Sequence, residues 1–480
     1  MDATVETLRQ LMWGASSVYE SEEEIRWMQE DFRFCPIESN GPKWGLLQTH
    51  GGPCGVFAPV QARLLARLLG RLDTPLSAGD RNHLLAAVLA AMLLSATEGP
   101  NEPVYLVDAA DVVASKLGPV PVCLAPRSEL EATVLAFLVE GRKGVLSFVY
   151  SMVLTRGVSR LRGDMDDIES SLTMGQFGHG TQELLNLMLT GRATSNVFDG
   201  SVPMGDTGLV LRGVAARPIV GYLTHLEALR YCAVGSFFKT PMSPVWVLGS
   251  ASHFTVLFAD DPGLVQESAS DALLARVQRA FKQFDTMESG FIALDSLVPC
   301  LRSLGVDEGI LSNQYQMGRL FAKIEVPGAG IVLWEDFWRT VSILLETKDL
   351  QQALAGKVAT RPRSDSDLAR ELQAQFDAGD TGMVPAPVDA TPLPMEEEAV
   401  ARAELFHYNG LVDPRSHDAT PRLVRFEAQI PRRNVVGYSV PMVDSSQATG
   451  GSACPIEDVL QTKWPGIQVN WLGQAPPRLD

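Results

Sequence analysis

Cys54 stands in the run GLLQTHGGPCGVFAPVQA, residues 45–62, where a turn gives way to a helical pattern. The thiolate is the reactive form of cysteine, and its pKa falls when the sulfur faces the positive end of a helix dipole. Gly51 and Gly52 do not readily extend a helix backwards, and proline is favoured at a first helical position, as Pro53 is here. Beyond the thiol, Val56, Phe57, Val60, Leu64, Leu65 and Leu68 recur at helical spacing. Cys54 is therefore expected in the first turn of a buried helix. Pro59 lacks the N–H that would bond back to Gly55, so a bend or an irregular start is expected there. The paired glycines leave room for a substrate backbone to approach closely. A buried cysteine at an ordinary helix start fits the same pattern, so a nucleophile needs further partners.

Gln48 lies six residues upstream. A side-chain amide beside the nucleophile's own N–H is one way to build an oxyanion hole, and papain-like proteases carry a glutamine at this spacing. A cysteine nucleophile also needs a base. Among the seven histidines, His253 has the best context, because it opens the strand pattern HFTVLF directly after the turn 249–252, Gly-Ser-Ala-Ser. A histidine at a strand's first residue can face a cleft while alternate residues are buried. His50 is close to Cys54 in sequence but precedes the turn and is expected to point elsewhere. His179 reads as a loop or helix-cap residue, and His225 as structural. Asp260, at the end of the same strand as His253, is a candidate for the group that orients the imidazole.

These residues must be positioned by an alternation of helices and strands that runs to about residue 265. The spacing predicts helices over 3–13, 20–30, 54–72, 80–97, 130–140, 181–190 and 222–231, and strands over 245–248 and 253–258. Residues 144–155, GVLSFVYSMVLT, are apolar throughout and fit a buried strand or a buried helix. The apolar run 84–96 is too short to span a bilayer, which takes about 20 residues. From about residue 270 the pattern becomes two helix–loop–helix units, with loops beginning at Asp285 and Glu325. Glycine at loop position 6 (Gly290, Gly330) and an aliphatic residue at position 8 (Ile292, Val332) are the spacing of an EF-hand. Met287 and Ser296, and Pro327 and Ala329, stand where calcium ligands would be needed, so the pair reads as a degenerate packing unit without a metal. Residues 351–403 are rich in proline, alanine and charge, the composition of a flexible linker. The tail, 404–480, returns to strand-like patterning and is expected to rejoin the first domain's sheet.

The 480 residues carry a net charge of −17 and are 46% hydrophobic and 20% charged. That composition is globular. It argues against a nucleic-acid binder, which needs clustered lysine and arginine. The six cysteines (35, 54, 123, 232, 300 and 454) are scattered, without CxxC pairs or zinc-ligand spacing. A reducing compartment is expected. The acidic N-terminus does not read as a targeting peptide. The expectation is a soluble protein of the cytoplasm, the nucleus or both, without cofactor, metal, nucleic-acid or membrane partner.

Four separated segments carry a resemblance: QTHGGPCGVFAPVQA, GHGTQELLNLMLTGRATSNVFDG, LEALRYCAVGSFFKTPMSPVWVLGSASHFTVLF and LQTKWPGIQVNW. In this order they resemble the MINDY family of deubiquitinases, and specifically its branch with an EF-hand-like unit inserted in the catalytic domain. The resemblance implies an α+β, papain-like cysteine protease fold. Its parts would be a catalytic domain (1–266), the insertion (270–350), the linker (351–403) and C-terminal strands completing the catalytic domain (404–480). It further implies thiol-dependent hydrolysis of isopeptide bonds in polyubiquitin, with a preference for chains linked through ubiquitin's lysine 48. Polyubiquitin and ubiquitinated proteins would be the partners. Cys54 then corresponds to the nucleophile, His253 to the general base and Gln48 to the oxyanion-hole glutamine. A catalytically silent ubiquitin-binding adaptor of the same fold is the alternative, and a calcium-responsive scaffold built on 270–350 is a third.

Overall fold

The computed structural model describes residues 4–14, 22–115, 117–174, 178–204, 208–266, 269–285, 289–356, 400–412, 420–431 and 454–479. They fall into two compact units. One holds the residues up to 266 together with 400–431 and 454–479, and the other holds 269–356. The whole is a mixed helix-and-sheet, α+β architecture.

The first unit is organised around one buried helix. Helices α1 (Val5–Trp13), α2 (Glu22–Gln29), α3 (Cys54–Leu68), α4 (Ala78–Ser95), α5 (Gly144–Arg156) and α6 (Gln182–Thr190) contribute to its helical side. One face of α3, with Val56, Phe57, Val60 and Leu64, packs among α1, α2, α4 and α5. Its other face, with Ala58, Ala62, Leu65 and Leu68, packs on the sheet. A helix apolar on two faces has to be central. It runs unbroken through Pro59. Helix α5, the stretch whose periodicity left strand and helix open, is buried along its entire length.

The sheet has six strands: β1 (Gly221–Thr224), β2 (Val245–Gly249), β3 (Phe254–Phe258), β4 (Val400–Asn409), β5 (Arg422–Pro431) and β6 (Gln468–Asn470). Their spatial order is β6-β5-β4-β3-β2-β1. Only β1 and β2 run parallel; the other neighbours are antiparallel. Val256, Phe258 and Tyr408 face α3. Leu257, Leu405 and Phe426 face the opposite way, toward the helix Pro455–Lys463. β4 lies directly beside β3, with Val256 opposite Tyr408 and Phe258 opposite Phe406. A strand from the chain's last fifth thus forms one wall of the region around His253.

Several elements differ from the sequence expectation. The predicted helix 222–231 is instead β1 followed by one helical turn, His225–Ala228. All four β1 residues are buried although β1 is the sheet's edge strand, and so short a buried run has no periodicity to mark it as a strand. Within the expected linker 351–403, both ends are ordered. Asp349 caps a helix Leu350–Ala355 by accepting from the Gln351 and Gln352 N–H groups, and β4 begins at Val400. Residues 357–399 of that stretch lie outside the described residues. The expected C-terminal strands include the helix Pro455–Lys463, with a proline in its first turn as helix starts favour.

In the second unit, the helices Ala269–Lys282 and Leu297–Ser303 flank one loop, and Gln314–Ile324 and Trp334–Thr347 flank the other. The loops are joined by a two-stranded ladder, Phe291–Ala293 against Ile331–Leu333, with Ile292 opposite Val332. Gly290 and Gly330 have φ of 80° and 64°. Phe281, Trp334 and Phe337 meet in the core beneath the loops.

Candidate active site

Three chain segments converge at the N-terminus of α3. The first is 46–54. Gly52 has φ of 120°, which an L side chain rarely adopts, and it turns the chain so that Cys54 becomes the first helical residue after Pro53. The second is the start of β3. The third is the end of β4 and the residues beyond it, joined to the first by paired backbone bonds: Gln48 N–H donates to the Gly410 carbonyl, and Val412 N–H to the Gln48 carbonyl, both at 2.9 Å. Gly410 permits this approach, because a Cβ there would lie 2.4 Å from the Leu46 carbonyl oxygen. A narrow cavity is lined by Gln48, Phe57, Gln61, His253, Phe254 and Tyr408. Gln48 and His253 therefore share one small space beside α3.

His253 is buried, and its Nε2 lies 3.1 Å from Asn409 Oδ1. The same Oδ1 accepts the Leu411 backbone N–H at 3.0 Å. A backbone N–H only donates, so that atom of Asn409 is the oxygen. An amide oxygen only accepts, so the imidazole hydrogen sits on Nε2. In the neutral ring, Nδ1 then carries the lone pair that a base requires. Asn409 is thus the imidazole-orienting group, and it escaped sequence reading because it lies 156 residues from His253. Its one local sign is an asparagine ending a strand pattern before a glycine. Asp260 does not serve that role. It sits past the opposite end of β3, roughly 20 Å of strand from His253, and its Oδ1 accepts the Gly70 N–H at 2.9 Å.

Cys54 is 2% exposed. Burial pushes its thiol up from 9.0 to about 11, against the pull of the backbone groups of Phe254, Gly55 and Cys54 itself. The expectation of a thiol lowered by the helix start is therefore overturned in this arrangement, because desolvation of a thiolate outweighs a single helix terminus. The sulfur neighbours the Phe254 backbone, one residue past His253, and the thiol points toward the Gly52 carbonyl 3.9 Å away. Gln48 is buried as well, and its Nε2 donates to the His50 carbonyl at 2.6 Å. His50 itself turns away from the thiol, its Nδ1 lying 2.7 Å from Glu30 Oε1. His179 lies two residues before Thr181, the N-cap of α6, and His225 lies 3.9 Å from Asp458. Among the described residues no cluster of three or more histidine, cysteine or acidic side chains is arranged to hold a metal.

Residues 125–275 match the family model described as the deubiquitinating enzyme MINDY-3/4 conserved domain. That match contains His253. Full-length likenesses also span Cys54 and Asn409. The human ubiquitin carboxyl-terminal hydrolase MINDY-3 is 29% identical over 100% of both chains. Its Danio rerio counterpart is 29% identical over 95% of this chain and 94% of its own. The mouse probable ubiquitin carboxyl-terminal hydrolase MINDY-4 is 35% identical over 55% of this chain and 38% of its own. No solved structure matches. With a conserved-domain match and relatives aligned from end to end, the chain is similar along its whole length to the MINDY deubiquitinases.

Proposed function

We propose that this protein is a thiol-dependent ubiquitinyl hydrolase that cleaves isopeptide bonds in polyubiquitin, with chains linked through lysine 48 as its preferred substrate. The observation that carries the reading is the His253–Asn409 pair. It leaves Nδ1 as the basic nitrogen of a histidine that shares a cavity with Gln48 at the start of the Cys54 helix. Cys54 attacks the carbonyl of ubiquitin's terminal glycine, forming the carbon–sulfur bond. Its proton passes to His253 Nδ1, and from there to the departing lysine amine as the carbon–nitrogen bond breaks. Water then hydrolyses the thioester. The Cys54 N–H and the Gln48 amide stabilise the oxyanion in both steps. In the resting arrangement one Gln48 amide hydrogen is held by the His50 carbonyl, which leaves the second for the oxyanion, and the thiol is protonated, so it is the thiol that reorients toward His253 as the glycine-rich tail enters beside Gly51 and Gly52. A papain-like arrangement is supported by the nucleophile at a helix start and the base at a strand start.

The second unit reads as a degenerate EF-hand pair. The left-handed glycines at loop position 6 and the Ile292–Val332 pairing at position 8 support this. Ubiquitinated proteins in the cytoplasm or nucleus are the proposed setting. Among the described residues no helix is long and apolar enough to cross a membrane.

The test is a panel of ubiquitin chains of defined linkage incubated with the wild type, Cys54→Ala and His253→Ala. Cleavage by the wild type alone, fastest on lysine-48 chains, is expected. Cleavage persisting in Cys54→Ala overturns the mechanism. Chain binding without turnover by the wild type points to the silent adaptor.

A further inference from the structure

The chain between Gln48 and Cys54 contains two glycines and a proline, and little in its own sequence holds it still. Its anchor is a carboxylate from elsewhere. Glu30 is fully buried and accepts hydrogen bonds from the Thr49 N–H at 3.2 Å, the Thr49 hydroxyl at 2.6 Å and His50 Nδ1 at 2.7 Å. A buried carboxylate is costly unless its oxygens are satisfied, and all three of these donors come from the two residues that follow Gln48. The anchor is itself tied into the helical core. Glu30 directly follows α2, and its own carbonyl accepts the Val145 N–H at the start of α5 at 3.0 Å. The His50 side chain is 43% exposed, so core packing is not what it contributes.

We propose that Glu30 is a positioning residue of the active centre: its carboxylate fixes Thr49 and His50, and the His50 carbonyl in turn sets where the Gln48 side-chain amide lies. The proposal rests on the reading of Gln48 as an oxyanion donor. Two ties already define the Gln48 backbone, to Gly410 and Val412. What remains to be set is the side chain, and the bond from Nε2 to the His50 carbonyl sets it. Without Glu30, the glycine-rich turn is free to carry that carbonyl, the amide and the start of α3 away from their working geometry. Glu30 does not touch the substrate, so its loss is felt in turnover and not in chain binding.

The experiment compares Glu30→Gln, His50→Ala and the double variant with wild type on lysine-48-linked chains, with thermal unfolding followed in parallel. Glu30→Gln is isosteric, and His50 is partly exposed, so at least one variant keeps its fold. Each single variant is expected to lose about tenfold to a hundredfold in kcat, the scale of a misplacement of about 1 Å, with KM within about twofold. The double variant is expected to lose no more than the more impaired single one, since both break the same contact. Unchanged kcat in folded single variants, additive losses, or losses confined to KM overturn the proposal. A second readout is the exchange protection of the Gln48 side-chain amide by NMR in the free protein. Protection lost in Glu30→Gln sustains the positioning role even if the wild type proves inactive on ubiquitin, which refutes the functional reading alone. Protection retained refutes the role of Glu30.

Discussion

The buried thiol makes a quantitative claim about reactivity. Burial moves Cys54 from 9.0 to about 11, so at pH 8 roughly one molecule in a thousand carries the thiolate, about a hundredfold fewer than for a solvated thiol. Alkylation of the free enzyme by iodoacetamide, read peptide by peptide by mass spectrometry from pH 7 to 11, measures this directly. Cys123 is exposed and serves as a reference for the reagent in the same chain. The Cys54 rate is expected to climb about tenfold per pH unit through pH 10, because only the thiolate reacts. The same displacement is linked to folding. The unfolded chain ionises Cys54 near 9.0 and the folded chain only near 11, so this residue contributes no pH dependence below 9. It removes stability as pH rises from 9 to 11, by about 2–3 kcal/mol in all. Cys54→Ser lacks that component, and its stability relative to wild type should improve across that window. A Cys54 labelling rate that levels off by pH 9, or alkaline stability curves that run parallel in the two proteins, refutes the picture of a protonated, desolvated thiol. A ubiquitin probe with an electrophilic tail should nonetheless label Cys54 at neutral pH, because on the proposed mechanism His253 Nδ1 takes the thiol proton as the sulfur attacks.

Asn409→Ala removes the acceptor that holds Nε2–H of His253, and should lower kcat about tenfold to a hundredfold with KM little changed. Steady-state kinetics on a fluorogenic ubiquitin substrate checks it, and a variant as fast as wild type excludes Asn409 from the site. In the second unit, Asp285 already accepts from the Ser289 N–H and hydroxyl and the Gly290 N–H, while Pro327 and Ala329 offer no side-chain oxygen. Calcium titration by calorimetry should therefore give no binding heat, whereas a saturating isotherm contradicts the degenerate reading of these loops.

What could be read in the sequence was what is encoded locally. Cys54 at a helix start follows from Gly52, Pro53 and the apolar spacing behind them, and the structure places it there. His253 just ahead of a strand follows from the turn before it. What could not be read depends on burial and on pairing between distant segments. The helix terminus near Cys54 is visible in the sequence, but the packing of Phe254 and the rest of the site over the sulfur is not, so the direction of its pKa came out opposite to the local expectation. The run YLTHLEALRY has helical spacing, yet Tyr222 and Leu223 are claimed by a parallel pairing with Val247 and Leu248 that no local pattern announces. Asn409 is the sharpest case. It meets His253 because β4 pairs with β3 in one register, with Val256 opposite Tyr408. A slip of one residue would turn Asn409 to the other face of the sheet and bring Tyr408 out of its place against Trp44 and Leu46. The packing of Tyr408 therefore holds the register that brings the orienting amide to the imidazole, across a separation in which the second unit is inserted. A large insertion between β3 and β4 is tolerated for the same reason: loop closure grows costly only slowly with length, whereas a change in register is penalised at every buried residue of the strand.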